Sequence, residues 1–152
     1  MGWGPYTKVK RMLETAAMTA LQANSDGRLD DITAYTGRTR SELVAPRYFA
    51  YVAGAEPMFS DDGVLMWWEC ELYLGVSTNM HDTDQDTHDD YMATVQDFAM
   101  RRDVPDIINA NPDNEINMQD GIFGWEPGTC NESDGPEITE AIKITARVQL
   151  EN

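Results

Sequence analysis

The chain has 152 residues, of which 41% are hydrophobic; that length suits one domain burying about two thirds of its unfolded surface, and with Trp3, Trp67, Trp68 and Trp125 it excludes wholesale disorder. Against 27 Asp and Glu stand 11 Lys and Arg, a formal net charge of -16, and the densest basic group is only Lys8, Lys10 and Arg11, so sequence-specific nucleic-acid binding, which needs clustered cations to displace counterions, is not expected. Cys70 and Cys130 cannot form a disulfide framework or a zinc motif, and with no signal-like amino terminus and no run of ~20 apolar residues the expectation is reduced thiols, no signal peptide and no membrane span.

In chain order, Val9, Met12, Leu13, Ala16, Ala17, Ala20 and Leu21 form one stripe at helical spacing and predict a helix from about Thr7 to Ala23. Asn24-Ser25-Asp26-Gly27 ends it, because these side chains compete for backbone hydrogen bonds and Gly accepts positive φ. Leu29 to Thr36 reads as a weakly patterned first strand, followed by a polar loop through 36–46. Arg47 to Val52, aromatic and β-branched, reads as a second strand, and Ala53 to Gly63 as a turn.

The strongest strand signal is Val64 to Ser77. Met66, Trp68, Cys70, Leu72, Leu74 and Val76 alternate with Trp67, Glu69, Glu71 and Tyr73, which places the first set in a core and the second on the opposite face. A second alternation closes the chain: Ile138, Ile142, Ile144, Ala146, Val148 and Leu150 against Thr139, Lys143, Thr145, Arg147 and Gln149. Two such strands predict an antiparallel sheet with one buried face.

Between them, Asp82 with Gln85 has the spacing of a capping box, and Asp84, Asp86, Asp89 and Asp90 crowd the start of a second helix, where carboxylates suit the macrodipole. Its apolar stripe is Tyr91, Val95 and Phe98, Arg101 and Arg102 suit its carboxyl end, and Pro105 follows. Val104 to Ala110 adds a short helical turn, Ile116 to Trp125 another strand, and 127–136 a polar loop. The predicted fold is therefore a single α+β domain over 1–152: an antiparallel sheet of four or five strands with two main helices packed on one face.

The acidic run from His81 to Asp90 is the one candidate for metal chemistry. A calcium loop starting at Asp82 needs Gly at its sixth position and Glu at its twelfth, where this chain has Thr87 and Ala93; helix capping accounts for the run. His81 and His88 lie two helical turns apart, too far to share one ion. Neither a nucleophile motif nor a phosphate loop occurs, so no catalytic residue, no metal and no cofactor is expected, and the chain does not read as an enzyme. Trp67 and Tyr73, projecting away from the core, are either covered by a loop or helix or form a subunit interface.

The order of elements, with Glu69-Cys70-Glu71-Leu72-Tyr73-Leu74-Gly75-Val76-Ser77-Thr78-Asn79 running into the Asp/Thr/His-rich start of helix two, resembles bacteriophage tail completion proteins, including the tail terminator family. Arg101-Arg102-Asp103-Val104-Pro105-Asp106-Ile107-Ile108-Asn109-Ala110 is similar to that family's short post-helix turn, and Ile142 to Val148 to its last strand. The resemblance implies a structural virion protein, assembled in the host cytoplasm, that forms a homo-oligomeric ring, commonly of six subunits. Such a ring caps the tail tube and joins it to the neck, so the implied partners are further copies of the chain, the tube protein and the neck connector, with DNA passing through the lumen. On this reading the subunit interface falls on Trp67, Glu69, Glu71 and Tyr73 together with Lys143 and Arg147. The competing expectations are another head-completion or minor tail protein, and an acidic protein-binding module that mimics DNA.

Overall fold

A computed structural model describes residues 4–37, 46–79, 83–110, 115–128 and 137–150. Helix α1 spans Pro5–Ala23, two residues earlier than the apolar stripe requires, because Pro at the first helical position gives up an N–H that has no partner there anyway. Its stripe is buried at Val9, Leu13, Ala16, Ala17, Ala20 and Leu21. The helix stops where the Asn24 amide donates back to the Ala20 carbonyl at 2.8 Å and Asp26 and Gly27 turn left-handed, at φ 54 and 76.

Five strands follow, β1 (Thr33–Thr36), β2 (Arg47–Phe59), β3 (Leu65–Asn79), β4 (Ile116–Gly128) and β5 (Glu137–Leu150), with α2 (Gln85–Ala99) and α3 (Val104–Asn109) between β3 and β4. They form one sheet in the order β1-β2-β3-β5-β4. The α+β architecture and the two long central strands agree with the sequence reading, β3 and β5 pairing antiparallel from Trp68↔Val148 to Asn79↔Glu137. The sheet is not wholly antiparallel, since β1 runs parallel to β2, Thr33 opposite Arg47 and Thr36 opposite Ala50.

Other expected boundaries move for physical reasons. The first half of the expected first strand is turn and the second half, Thr33–Thr36, is strand: Leu29 and Ile32 are both buried, and two residues three apart reach one core from a turn more readily than from a pleat of period two. The segment expected to turn at Ala53 instead continues as strand to Phe59, with a bulge between Val52 and Gly54. Beyond Ala50 no described strand flanks its outer side, so Pro57 forfeits no ladder bond there. β4 runs on to Gly128, through the start of the expected polar loop. The loop segments 38–45 and 129–136, together with Cys130, His81 and Asp82, lie outside the described residues.

The three helices of the described residues contribute to one core. Leu13, Ala17 and Leu21 of α1, Val95 and Phe98 of α2 and Val104 and Ile108 of α3 cluster with Trp68, Cys70, Leu72 and Leu74 of β3 and Ile142, Ile144 and Val148 of β5. Helix α2 is capped by Asp84, whose carboxylate accepts the Thr87 backbone N–H at 2.8 Å; Gln85, expected to close a capping box, donates to Asp89 instead. That backbone hydrogen bond holds the Asp84 carboxyl below its usual range. A depressed carboxyl adds stability that is fully present above its unfolded pKa and is lost as pH falls through the folded value. Arg101, expected to complement the α2 dipole, pairs with Asp103 at 2.9 Å and donates to the Asn24 side chain.

One charge in the core has a structural task. Glu14 is 0% exposed; one of its oxygens accepts the Val52 N–H at 2.8 Å and the other takes Arg11 at 2.7 Å. It thus pins α1 to β2 at the bulge, satisfying a buried N–H. Glu14→Ala should therefore lower stability by ~1.5–3 kcal/mol, the range for hydrogen bonds to charged groups, and Glu14→Gln, which keeps an acceptor, by clearly less. Urea unfolding followed by circular dichroism measures both; equal losses would mean that only the volume of the side chain matters.

Candidate functional site

Because the helices pack on the side of β3 that carries Trp68, Cys70 and Leu72, the alternate residues are left on the other side of the sheet. The register sets them beside their neighbours: Glu69 opposite Arg147, Glu71 opposite Thr145 and Tyr73 opposite Lys143 on β5, with Met58 opposite Trp67 and Tyr51 opposite Tyr73 on β2. The six residues that the sequence singled out as an interface thus lie on one patch. Each is half-buried except Glu71, which is exposed.

Within the patch the groups already pair. Arg147 reaches Glu69 at 3.5 Å and its guanidinium lies 4.6 Å from the centre of the Trp67 ring. Lys143 reaches Glu71 at 3.5 Å, and the Tyr51 and Tyr73 rings stack with centroids 6.4 Å apart. Half-exposed ion pairs of this kind contribute about 0–1 kcal/mol each, so they align the aromatics more than they stabilise the fold. The result is a surface of aromatic rings interleaved with both signs of charge, a composition typical of contact surfaces. Sequence patterning missed Tyr51 and Met58, because their places in the patch depend on β2 pairing beside β3, which alternation within one strand does not reveal.

The patch does not cover the whole face. Towards the other end of the sheet Arg47, Phe49, Ser77 and Thr139 are buried, Ser77 and Thr139 sharing a hydrogen bond of 2.7 Å across β3 and β5. Gly75 marks the boundary, with Phe49 lying over it.

A second cluster sits where α2 meets the sheet. His88, 3% exposed, bonds Thr78 Oγ1 through Nδ1 at 2.6 Å and Glu140 Oε1 through Nε2 at 2.9 Å. Ligand atoms of His88, Asp89 and Glu140 all lie within 4.8 Å of one another, a spacing that could hold a cation. Both imidazole nitrogens already have partners in the chain and Asp89 is engaged by Gln85, so the cluster is satisfied as a polar pin holding α2 on β3 and β5. Thr78 is 2% exposed and therefore closed to substrate as a nucleophile. Nothing in the spacing of Thr78, His88 and Glu140 announced this contact, which joins residues distant along the chain.

The Cys70 thiol is free and buried. Burial pushes its pKa up to about 12, against a smaller lowering by Lys10, so it is a packing residue and not a nucleophile. Among the described residues no helix is long and apolar enough to cross a membrane. No protein-family model matches the chain, and no curated protein matches it.

Proposed function

We propose that this chain is a structural virion protein of the tail terminator kind, assembling head to tail into a ring, commonly of six subunits, that caps a phage tail tube and joins it to the neck. The observation that carries the reading is the patch of Trp67, Glu69, Glu71, Tyr73, Lys143 and Arg147: helices cover one face of the sheet, and this opposite surface has the mixture of aromatics and paired charges that a protein partner recognises. A patch that binds a different surface on an identical copy generates a ring when the rotation closes.

The strong negative charge supports the same reading. A lumen through which a genome passes must not retain phosphates, and an acidic wall repels them. In this proposal the partners are further copies of the chain, the tube protein and the neck connector, and the protein resides in the virion after assembly in the host cytoplasm.

The double variant Trp67→Ala with Tyr73→Glu tests this. It should keep the circular dichroism spectrum of the parent yet sediment as a monomer and fail to join tails to heads. A folded double variant that still forms normal rings and infectious particles would remove this patch from the subunit interface.

A further inference from the structure

Deepening the ring proposal and resting on it, we infer that the tip of the β2–β3 hairpin of one copy docks into a basic groove beside α1 of the next copy. Of the five large hydrophobic side chains that stand exposed among the described residues, Phe59 (57%), Val64 (62%) and Leu65 (44%) are at this tip, and Tyr6 (47%) lines the groove. The tip is held in shape: Ser60 donates its N–H to the Val64 carbonyl at 2.8 Å, Gly63 donates to the Ser60 carbonyl at 2.9 Å, and Gly63 takes the left-handed turn at φ 80. A preformed turn loses little entropy on docking. At its apex Asp61 and Asp62 are exposed, so the tip presents apolar flanks beneath two carboxylates.

The groove offers the complement. It holds about 670 Å³ between Tyr6, Lys10 and Arg11 of α1, Thr36 at the end of β1 with Gly37 after it, and Tyr51 and Ala53 of β2, with two cations and two tyrosines but no carboxylate among these lining residues. Arg11 is partly neutralised from below by Glu14. Lys10 has no carboxylate partner among the described residues; its ammonium lies 3.4 Å from the Tyr6 hydroxyl and 4.9 Å from the centre of that ring. In a chain of net charge -16, a cation-lined groove with aromatic walls matches an acidic, apolar-flanked tip.

The same chain cannot make this contact with itself. Tyr51 of the groove lies on the same strand as the tip, eight residues before Phe59, and at roughly 3.3 Å per residue it stands ~25 Å from that residue, so a tip held in the strand cannot fold back on it. The contact is therefore between copies, and heterologous, the kind that a ring needs. Tyr51 belongs both to the groove and to the stack with Tyr73, which makes the groove continuous with the proposed interface patch.

The test uses two full-length variants, Asp61→Lys with Asp62→Lys for the tip and Lys10→Glu for the groove; Arg11 is left alone because it holds Glu14. Each should give the parent circular dichroism spectrum and assemble at least tenfold more weakly in sedimentation velocity. Mixed in equal amounts, they should assemble again, since the intact tip of the groove variant can enter the intact groove of the tip variant and the reversed Lys tip matches the reversed Glu groove. A mixture that stays monomeric overturns the pairing, as does a tip variant that forms normal rings, including one whose rings fail only to join tails, which would assign the tip to another virion protein. In those cases the ring proposal stands; a parent protein that is monomeric at every concentration overturns both.

Discussion

Gly75→Ala should destabilise the protein by ~1–3 kcal/mol or more, the cost of forcing a methyl group into a filled site. A Cβ built on Gly75 meets the Glu140 carbonyl oxygen, Phe49 Cζ at 2.6 Å and Ala141 Cβ at 2.9 Å. Two of these neighbours have little freedom: the carbonyl belongs to the β3–β5 ladder, and Phe49, 2% exposed, is packed against the Tyr35 ring with centroids 5.7 Å apart. The glycine is required by this close approach, since its φ does not lie in the left-handed region. Gly54→Ala supplies the control, because a Cβ there meets nothing within 4 Å and should change stability by no more than about 0.5 kcal/mol. Chemical denaturation of the two variants decides the matter; a Gly75 variant as stable as the Gly54 variant would show that Phe49 does not cap this glycine.

The second large effect separates the two faces of β3. Leu72 is fully buried and Trp68 is 7% exposed, both within the cluster that joins the helices to the sheet. Truncating either to Ala should cost ~2–5 kcal/mol, because the lost transfer energy is compounded by a cavity that rigid neighbours cannot fill. Trp67→Ala, on the opposite face, where the Arg147 guanidinium lies over the half-buried ring, should cost markedly less. Denaturant midpoints for the three variants provide the comparison, and equal losses at Trp67 and Trp68 would mean that both faces of the strand serve as core. The order matters for function: a residue whose loss spares the fold is the one whose loss can be read as a defect in assembly.

How much of this was legible beforehand depended on whether the governing physics was local. The stripe of α1, the alternation of β3 and β5 and the acidic start of α2 were readable because each element's own periodicity sorts its buried residues from the rest. The interface candidates were readable for the same reason, since alternation alone puts Trp67, Glu69, Glu71 and Tyr73 opposite Trp68, Cys70 and Leu72. That reading stopped at the edge of each strand. Tyr51 joins the patch only through the β2–β3 register, and Glu14, a charged residue within an apolar stripe, reads as an ordinary polar helix position until packing of α1 on β2 brings the Val52 N–H to it.

The amino-acid sequence by itself thus determined which segments are helix and strand where the pattern is long, which face of β3 is apolar, and that the surface is strongly acidic. Tertiary structure alone decided that β1 lies parallel on the edge of β2, that β2 runs on through Gly54 and Pro57, that Phe49 closes over Gly75, and that Thr78, His88 and Glu140 meet. Each of these is settled by a partner far along the chain: an edge tolerates a proline that an inner strand would reject, and a buried hydrogen-bond donor or acceptor takes whatever partner the packed elements bring within reach.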